Sequence, residues 1–222
     1  MPKKTGIAIV TVGAVLILSA LLLFLYNRYE DAHAKQEAES LLANVEAAIL
    51  AQATDGLAAT APNRSGTTSV SSQTSLDPEM PVVMLDGYEY VGYVEIPALE
   101  IKLPVMSDWD YTKLKISPCR QFGSSRTDNL VIAAHNYESH FGRLKDLSAG
   151  DIVTFTDMEG IVNIYCVEKI ETLNPNEVAA VQNSGYDLVL YTCTQGGKTR
   201  VTVFCNRKEM DTPYSAPTPM EK

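Results

Sequence analysis

A cysteine and an arginine stand at the facing ends of two apolar runs near the C-terminus. In the segment LVLYTCTQGGKTRVTVFCNR, residues 188–207, the first run ends at Cys193 and the second begins at Arg200, after a polar connection with two glycines. A cysteine attacks a carbonyl group as its thiolate, which a nearby cation favours. A guanidinium also donates hydrogen bonds to an oxygen that gains negative charge during the attack. The pattern predicts a nucleophile and a cation at one rim of a hairpin.

A histidine ends another apolar run at an equivalent position. His135 follows NLVIAA, residues 129–134, and precedes the polar loop NYESHFGRL. If the strands 129–135 and 187–193 are parallel neighbours, His135 and Cys193 reach the same rim, where an imidazole can keep the thiol ionised. The predicted site therefore consists of His135, Cys193 and Arg200.

The other cysteines and His140 have simpler interpretations. A cysteine in an apolar strand is usually a small buried hydrophobic residue, and we interpret Cys166, Cys205 and Cys119 in this way. A disulfide between two of these three stays open, since spacing does not select a pair. His140 is interpreted as a solvated loop residue. The spacing of Cys and His matches no zinc motif, so neither a metal nor another cofactor is predicted.

The N-terminal segment predicts a membrane anchor. Residues 6–26 read GIAIVTVGAVLILSALLLFLY and carry no charge, and about 20 apolar residues cross a bilayer as a helix. A cleaved signal peptide has a shorter apolar core, so cleavage is the weaker interpretation. Lys3 and Lys4 precede the span, and the positive-inside rule then places residues 1–5 in the cytoplasm and the rest of the chain outside the cell.

Four segments follow the span. Residues 27–53 contain no Gly or Pro and repeat apolar residues at helical spacing, which predicts a helical stalk. Residues 54–80 are rich in Ser, Thr, Gly and Pro, which predicts a flexible linker that holds the functional domain away from the membrane. Residues 81–210 are the predicted folded domain, and residues 211–222 a disordered tail. Neither stalk nor linker contains a predicted catalytic group.

Short β runs separated by turn residues fill the folded domain. Seven candidate strands are residues 90–97, 101–105, 129–135, 151–157, 161–173, 187–193 and 200–205. Two less regular stretches interrupt them. The first is SDWDYTKLKISPCRQFGSSRT, and the second, NPNEVAAVQNSGY, is compatible with a short helix. Closely spaced strands predict a mainly β fold, as a single closed or nearly closed barrel or a sandwich.

The charge balance excludes one class of partner. The chain has a formal net charge of −9 at pH 7 and no visible cationic cluster. Because phosphate backbones bind to clustered Lys and Arg, nucleic acid is not a predicted partner.

Three stretches resemble the sortase family. The run Tyr191-Thr192-Cys193, followed by Arg200 on the next strand, resembles the Leu-x-Thr-Cys…Arg signature of sortases. The stretch VIAAHNYESHFGRLKDLSAGD resembles the family's histidine segment, and GYVEIPALEIKLPV resembles its opening hairpin. The resemblance covers residues 87–207 in the family's order, and an N-terminal membrane anchor fits it.

The resemblance implies a sortase-type eight-stranded β-barrel with short helices, and a cysteine transpeptidase of a Gram-positive bacterium. Cys193 would attack the Thr–Gly bond of an LPxTG-like sorting signal on a surface protein and form a thioacyl-enzyme. His135 would protonate the leaving amine and deprotonate the incoming one, which would belong to peptidoglycan or a pilin lysine. Arg200 would hold the substrate backbone or the oxyanion, and Thr192 would line the substrate groove.

Subclass and activity stay partly open. Class B-like and class D-like membership are both compatible with the short Cys193–Arg200 connection and with Asp77-Pro78-Glu79, which lacks the aromatic residue of a sortase lid. Two alternatives to a transpeptidase also stay open. One is a thiol peptidase that releases peptide without transfer, and the other is a catalytically silent extracellular binding domain with a structural Cys193.

Overall fold

A computed structural model describes residues 3–58 and 78–208. The helices in these ranges are α1 (Lys3–Ala58) and α2 (Val178–Gln182), with 3-10 turns at Pro97–Leu99, Lys113–Lys115 and Leu144–Asp146. The strands are β1 (Val83–Leu85), β2 (Tyr88–Ile96), β3 (Ile101–Met106), β4 (Cys119–Phe122), β5 (Leu130–Ala134), β6 (Ile152–Asp157), β7 (Val162–Leu173), β8 (Leu188–Cys193) and β9 (Arg200–Arg207).

Eight of these strands close into a barrel. Their order is β2-β3-β4-β5-β8-β9-β7-β6, and β6 pairs with β2 to complete the circle. The remaining strand, β1, forms a short antiparallel hairpin with the start of β2. The eight-stranded barrel with few helices that the sortase resemblance implies is confirmed.

All seven predicted strands are present, and two strands were missed. The three-residue β1 lies before the first predicted run, and the four-residue β4 lies in a stretch that was interpreted as irregular. Both strands are too short to show an alternating pattern of their own. The short helix that NPNEVAAVQNSGY allowed is present as α2.

Alternation along the strands separates a barrel interior from an outer face. On β5 and β8 the even-numbered residues are buried together in the largest apolar cluster: Leu130, Ile132, Ala134, Leu188 and Leu190. The odd-numbered residues of both strands belong to other clusters, outside the barrel. Side chains that continue the odd series therefore reach the outer face.

Closure of the barrel depends on Gly92. This residue follows a register shift in the β2–β3 pairing and also pairs with Asp157 of β6. Its φ is +147°, and a Cβ atom there would lie 1.9 Å from the carbonyl oxygen of Thr156. Only glycine permits this close approach of two backbones.

The C-terminal half of α1 packs against the barrel. Val45 is fully buried, and Ala34, Ala38 and Ile49 are at most 8% exposed. A salt bridge of 2.5 Å between Glu46 and Lys102 of β3 adds a polar contact. The sequence predicted a helical stalk over residues 27–53 but not that this helix packs on the folded domain. Its apolar stripe, which predicted a helix, is also the face that binds the barrel.

The N-terminal half of α1 has a different surface. From Ile9 to Tyr26 its large apolar side chains are exposed, and the segment is long and apolar enough to cross a membrane. This half fits a single-pass membrane anchor. Of the predicted linker, residues 59–77 lie outside the described residues, as does the predicted tail 211–222.

We expect Gly92→Ala to lower the free energy of unfolding by more than about 3 kcal/mol, because positive φ and backbone overlap act together. Gly87→Ala is the matched control, since Gly87 also has a positive φ (+84°) but no atom within 4 Å of an added Cβ. We expect about 1 kcal/mol for the control, from backbone strain alone. Denaturant unfolding of the full chain in detergent measures both values, and equal losses would contradict the role assigned to Gly92.

Candidate active site

The predicted alignment of His135 with Cys193 is present. Strands β5 and β8 are parallel neighbours, and their last paired residues are Ala134 and Thr192. His135 and Cys193 are the next residues along each strand, and neighbouring strands lie about 4.8 Å apart. Both continue the odd-numbered series, so they lie side by side on the outer face of the barrel.

Arg200 approaches Cys193 from the other side. The two residues are partners in the antiparallel β8–β9 pairing, as the pair next to the hairpin turn. The guanidinium Nη1 donates hydrogen bonds to the carbonyl oxygens of Gly197 at 3.0 Å and Thr199 at 3.1 Å. The hairpin turn thus holds the cation beside the thiol.

A groove on the outer face contains Cys193 and Arg200. Its floor includes Ala133, Tyr191 and Thr202, which point outward from β5, β8 and β9. Its walls come from the chain after β3 and from the segment between β7 and β8, through Trp109, Tyr111, Leu114, Asn174, Pro175 and Val178. The Tyr191 hydroxyl donates a hydrogen bond to Gln121 Oε1 at this floor. The groove thus offers both apolar surface and polar groups to an extended ligand.

Thr192 points away from this groove. Its side chain is 2% exposed, and its hydroxyl donates a hydrogen bond of 2.9 Å to the carbonyl oxygen of Ala134. This bond joins β5 to β8 directly below the His135–Cys193 pair. Thr192 also borders a second depression next to Cys193, on the side of Asn136 and Gln195. The predicted contact between Thr192 and a substrate stays a prediction.

His135 is half-buried beside an aromatic ring. The imidazole stacks on Tyr137, with 4.0 Å between ring centroids and 19° between ring planes. Burial lowers the pKa of His135, the charge of Lys115 lowers it further, and Glu30 and Asn136 oppose these effects. The buried Nδ1 has no hydrogen bond partner among the described residues. The environment therefore favours the neutral imidazole, which can accept a proton.

The family model described as "Sortase domain" matches residues 94–208. This chain belongs to the sortase family. Sortase C1 from Streptococcus agalactiae is 28% identical over 64% of this chain and 79% of that chain, with a TM-score of 0.50. Sortase C from Streptococcus pneumoniae is 30% identical over 58% and 72% of the two chains, with a TM-score of 0.49.

A third solved sortase has lower sequence identity to this chain. A sortase D5 transpeptidase from Clostridium perfringens is 18% identical over 54% of this chain and 79% of that chain, with a TM-score of 0.48. No curated protein sequence matches. The similar structures carry different class names, so the subclass of this sortase is not assigned. Membership of the family implies a cysteine transpeptidase.

The four cysteines of this sortase are free thiols in different environments. Cys119 and Cys205 are buried as predicted, and burial raises the pKa of both, that of Cys119 to about 12. Cys166 is partly exposed, contrary to the prediction, and lies on β7, which is not adjacent to β8. Cys193 is also partly exposed, and it is the thiol that lines the groove. In the described ranges, no group of three or more His, Cys, Asp or Glu side chains could hold a metal ion.

The interpretation of His140 as a solvated residue is wrong. His140 is 0% exposed, and its ring meets that of Tyr137 edge-on at 5.5 Å between centroids. Burial lowers its pKa to about 4, with a smaller contribution from His135, while Asp31 and the backbone of Ala34 act in the opposite direction. The polar loop sequence concealed this burial because the covering surface comes from α1, about 100 residues away in the chain.

Sequence reasoning also missed the residues that surround His135. A cleft next to His135 is lined by Tyr137, Glu138, Gln195 and, from α1, Glu30 and Asp31. The Tyr at the second position after His135 was the only local signal. The contribution of α1 has no local signal, since it depends on how the helix docks.

The buried His140 should make this sortase acid-sensitive. Its pKa in the folded state lies below the ordinary value of 6.5, so its neutral form stabilises the fold above pH 6.5, and this stability is lost as pH falls toward 4. We expect a loss of up to about 3 kcal/mol between these pH values. Over the same pH interval, His140→Leu should lose less of its free energy of unfolding than the wild type. His33→Gln, on an exposed face of α1, serves as control and should keep the wild-type slope. An unchanged slope in His140→Leu would show that other groups cause the acid sensitivity.

Proposed function

We propose that this sortase is a single-pass membrane protein that cleaves an LPxTG-like sorting signal outside the cell and joins the acyl part to an amine. One observation carries the proposal. A free, partly exposed thiol, Cys193, lines an outer groove with its strand partner Arg200, and His135 is the next residue after the strand paired in parallel with that of Cys193. This arrangement contains the nucleophile, the proton carrier and the oxyanion donor that acyl transfer requires.

In the first step neutral His135 takes the proton of the Cys193 thiol, and the resulting thiolate attacks the carbonyl carbon of the Thr–Gly peptide bond. The new C–S bond places negative charge on the carbonyl oxygen, and Arg200 stabilises it by hydrogen bonds. The C–N bond then breaks, and protonated His135 gives its proton to the leaving amine. The product is a thioester between the substrate threonine and Cys193.

In the second step an incoming primary amine attacks the thioester. His135, now neutral, takes the proton that the amine loses as the new C–N bond forms. The C–S bond breaks and Cys193 leaves as a thiolate, which takes a proton back from His135, so the enzyme returns to its starting state. One amide bond is broken and one is made, and no oxidant, metal or nucleotide is needed for the balance.

The groove and the anchor support the partners of this reaction. Apolar and polar surface around Trp109 and Tyr191 suits an extended sorting signal of a surface protein. Lys3 and Lys4 before the apolar segment favour a cytoplasmic N-terminus. The catalytic domain then faces the cell wall, where a peptidoglycan amine or a pilin lysine is the acceptor.

We expect Cys193→Ala to abolish cleavage of a sorting-signal peptide and to leave the barrel folded, because no other exposed thiol lines the groove in the part of the chain that the structure describes. Mass spectrometry should find an acyl adduct on Cys193 in the wild type after incubation with a library of such peptides. Cys166→Ala is the control and should keep the adduct, since Cys166 is also partly exposed but lies on another strand.

Retained cleavage in Cys193→Ala would rule out the cysteine mechanism. An adduct that only water resolves, even with amines present, would identify a thiol peptidase instead of a transpeptidase. Alkylation of Cys193 no faster than that of Cys166, together with the absence of an adduct, would identify a silent binding domain.

We expect Arg200→Ala to lower kcat/KM by about 10²- to 10³-fold, the usual effect of losing one oxyanion donor. Arg200→Lys should recover only a small part, because an ammonium cannot reproduce the guanidinium's rigid fork of donors. If Arg200 supplied positive charge alone, the lysine variant would turn over peptide at nearly the wild-type rate. Rates of Cys193 alkylation by a small neutral reagent separate the two roles, and they should change little in Arg200→Lys.

A further inference from the structure

The loop that carries His135 is held by the membrane-proximal part of α1. The Asp31 carboxylate accepts hydrogen bonds from the Ser139 backbone N–H at 3.0 Å and from the Ser139 hydroxyl at 2.9 Å. Ser139 also donates to the Asp31 carbonyl oxygen at 3.3 Å. One residue of the helix thus satisfies several polar groups of a loop that lies 108 residues later in the chain.

Tyr137 transmits this contact to the catalytic histidine. One neighbour of its ring is the imidazole of His135, stacked at 4.0 Å, and another is His140, met edge-on. Burial raises the pKa of the Tyr137 hydroxyl, and the charge of the Glu30 carboxylate raises it further. Glu30 and Tyr137 line the same two clefts, so this carboxylate of α1 lies near the ring that stacks on His135.

Apolar packing fixes the helix at the same place. Ala34, one turn after Glu30, is 3% exposed, and Ala38 belongs to the apolar cluster that fills the barrel. His140 is buried beside the backbone of Ala34. Two small residues one turn apart let the helix approach the loop closely, so the positions of Glu30 and Asp31 are determined by the docking of α1.

Within the described part of the chain, His135 lacks an orienting hydrogen bond on Nδ1, and the contacts with Tyr137 and the α1 region orient the ring instead. A catalytic base is usually oriented by a hydrogen bond from its second nitrogen to a third group. The Nδ1 atom of His135 makes no such bond to any residue within 3–58 or 78–208. The stacked ring of Tyr137 is the contact that restricts the imidazole plane, and α1 restricts Tyr137.

We propose that α1 is part of the active site: Asp31 is a positioning residue that holds the His135 loop through Ser139, and Glu30 is a negative charge in the cleft that His135 and Tyr137 share. The inference rests on the proposed function for the role of His135, but the geometry that it describes is independent of the substrate. The segment between membrane and barrel is then a support for catalysis and not a tether. Phe24 and Asn27 line the same cleft as His135, so the support begins at the last turn of the apolar segment.

The groups around His135 predict that two substitutions shift its pKa in opposite directions. Lys115, from the 3-10 turn after β3, lowers its pKa together with burial, whereas Glu30 from α1 raises it; Asn136 and His140 are the other polar neighbours. Tyr137→Ala opens the imidazole to water, so the pKa of His135 should rise toward its ordinary value. Glu30→Gln removes an opposing charge, so the pKa should fall further.

The test uses the full chain in detergent micelles. Four variants, Asp31→Ala, Glu30→Gln, Tyr137→Ala and Tyr137→Phe, are compared with Glu46→Gln. The control removes a carboxylate from the same helix that contacts the barrel at Lys102, away from His135. Peptide turnover gives kcat and KM, and the NMR titration of the His135 ring gives its pKa without any substrate.

We expect Asp31→Ala and Tyr137→Ala to lower kcat by about 10- to 100-fold with little change in KM, because misplacing a catalytic group costs rate. Tyr137→Phe keeps the stacked ring and should retain most of the activity. Glu46→Gln should change neither kcat nor the titration of His135. The two opposite pKa shifts should appear in Tyr137→Ala and Glu30→Gln.

The proposal is overturned if Asp31→Ala and Tyr137→Ala, folded as judged by circular dichroism, match Glu46→Gln in kcat and in the titration of His135. It is also overturned if all variants lose activity in proportion to lost stability, since that result describes a structural contact only. A wild type without peptide turnover would refute the proposed function, and the titration would still decide the positioning role.

Discussion

The parallel pairing of β5 with β8 is the constraint on which the site depends. Parallel neighbours cannot be joined by a hairpin, so a long crossover must separate them, and here it comprises β6, β7 and α2. The strands of this crossover complete the barrel through the β6–β2 closure at Gly92. The pairing also brings two strand ends to one rim, where His135 and Cys193 become neighbours. The hydroxyl of Thr192 fastens the two strands just below that rim.

The second constraint is the docking of α1. A helix that leaves a membrane could carry a domain on a loose connection, but here a stripe of Ala34, Ala38, Val45 and Ile49 is buried against the barrel. Because α1 is continuous from Lys3 to Ala58, the catalytic rim has a defined position relative to the apolar segment. In the proposed function this position matters, since a substrate that arrives from the membrane meets the groove at a fixed height.

Burial gives the two loop histidines different properties. His135 keeps part of its ring in a cleft, where Glu30 and Lys115 have opposite effects on its pKa. His140 is fully enclosed, and its pKa of about 4 keeps it neutral at pH 7. In the proposed function, the same loop thus contains a proton carrier and a packing residue of the same chemical type. Access to water, and not residue type, separates their roles.

The sequence by itself determined the strand pattern and the long apolar helix, and it predicted the three site residues, because alternation, hydropathy and the family's motifs are local signals. The same signals place His135, Cys193 and Arg200 at the ends of their strands. The short strands β1 and β4, the burial of His140 and the exposure of Cys166 were decided by tertiary structure. So was the contact of Asp31 with Ser139, which joins residues 108 positions apart. Such features depend on which surfaces meet when α1 docks and the barrel closes, and no short stretch of sequence contains that information.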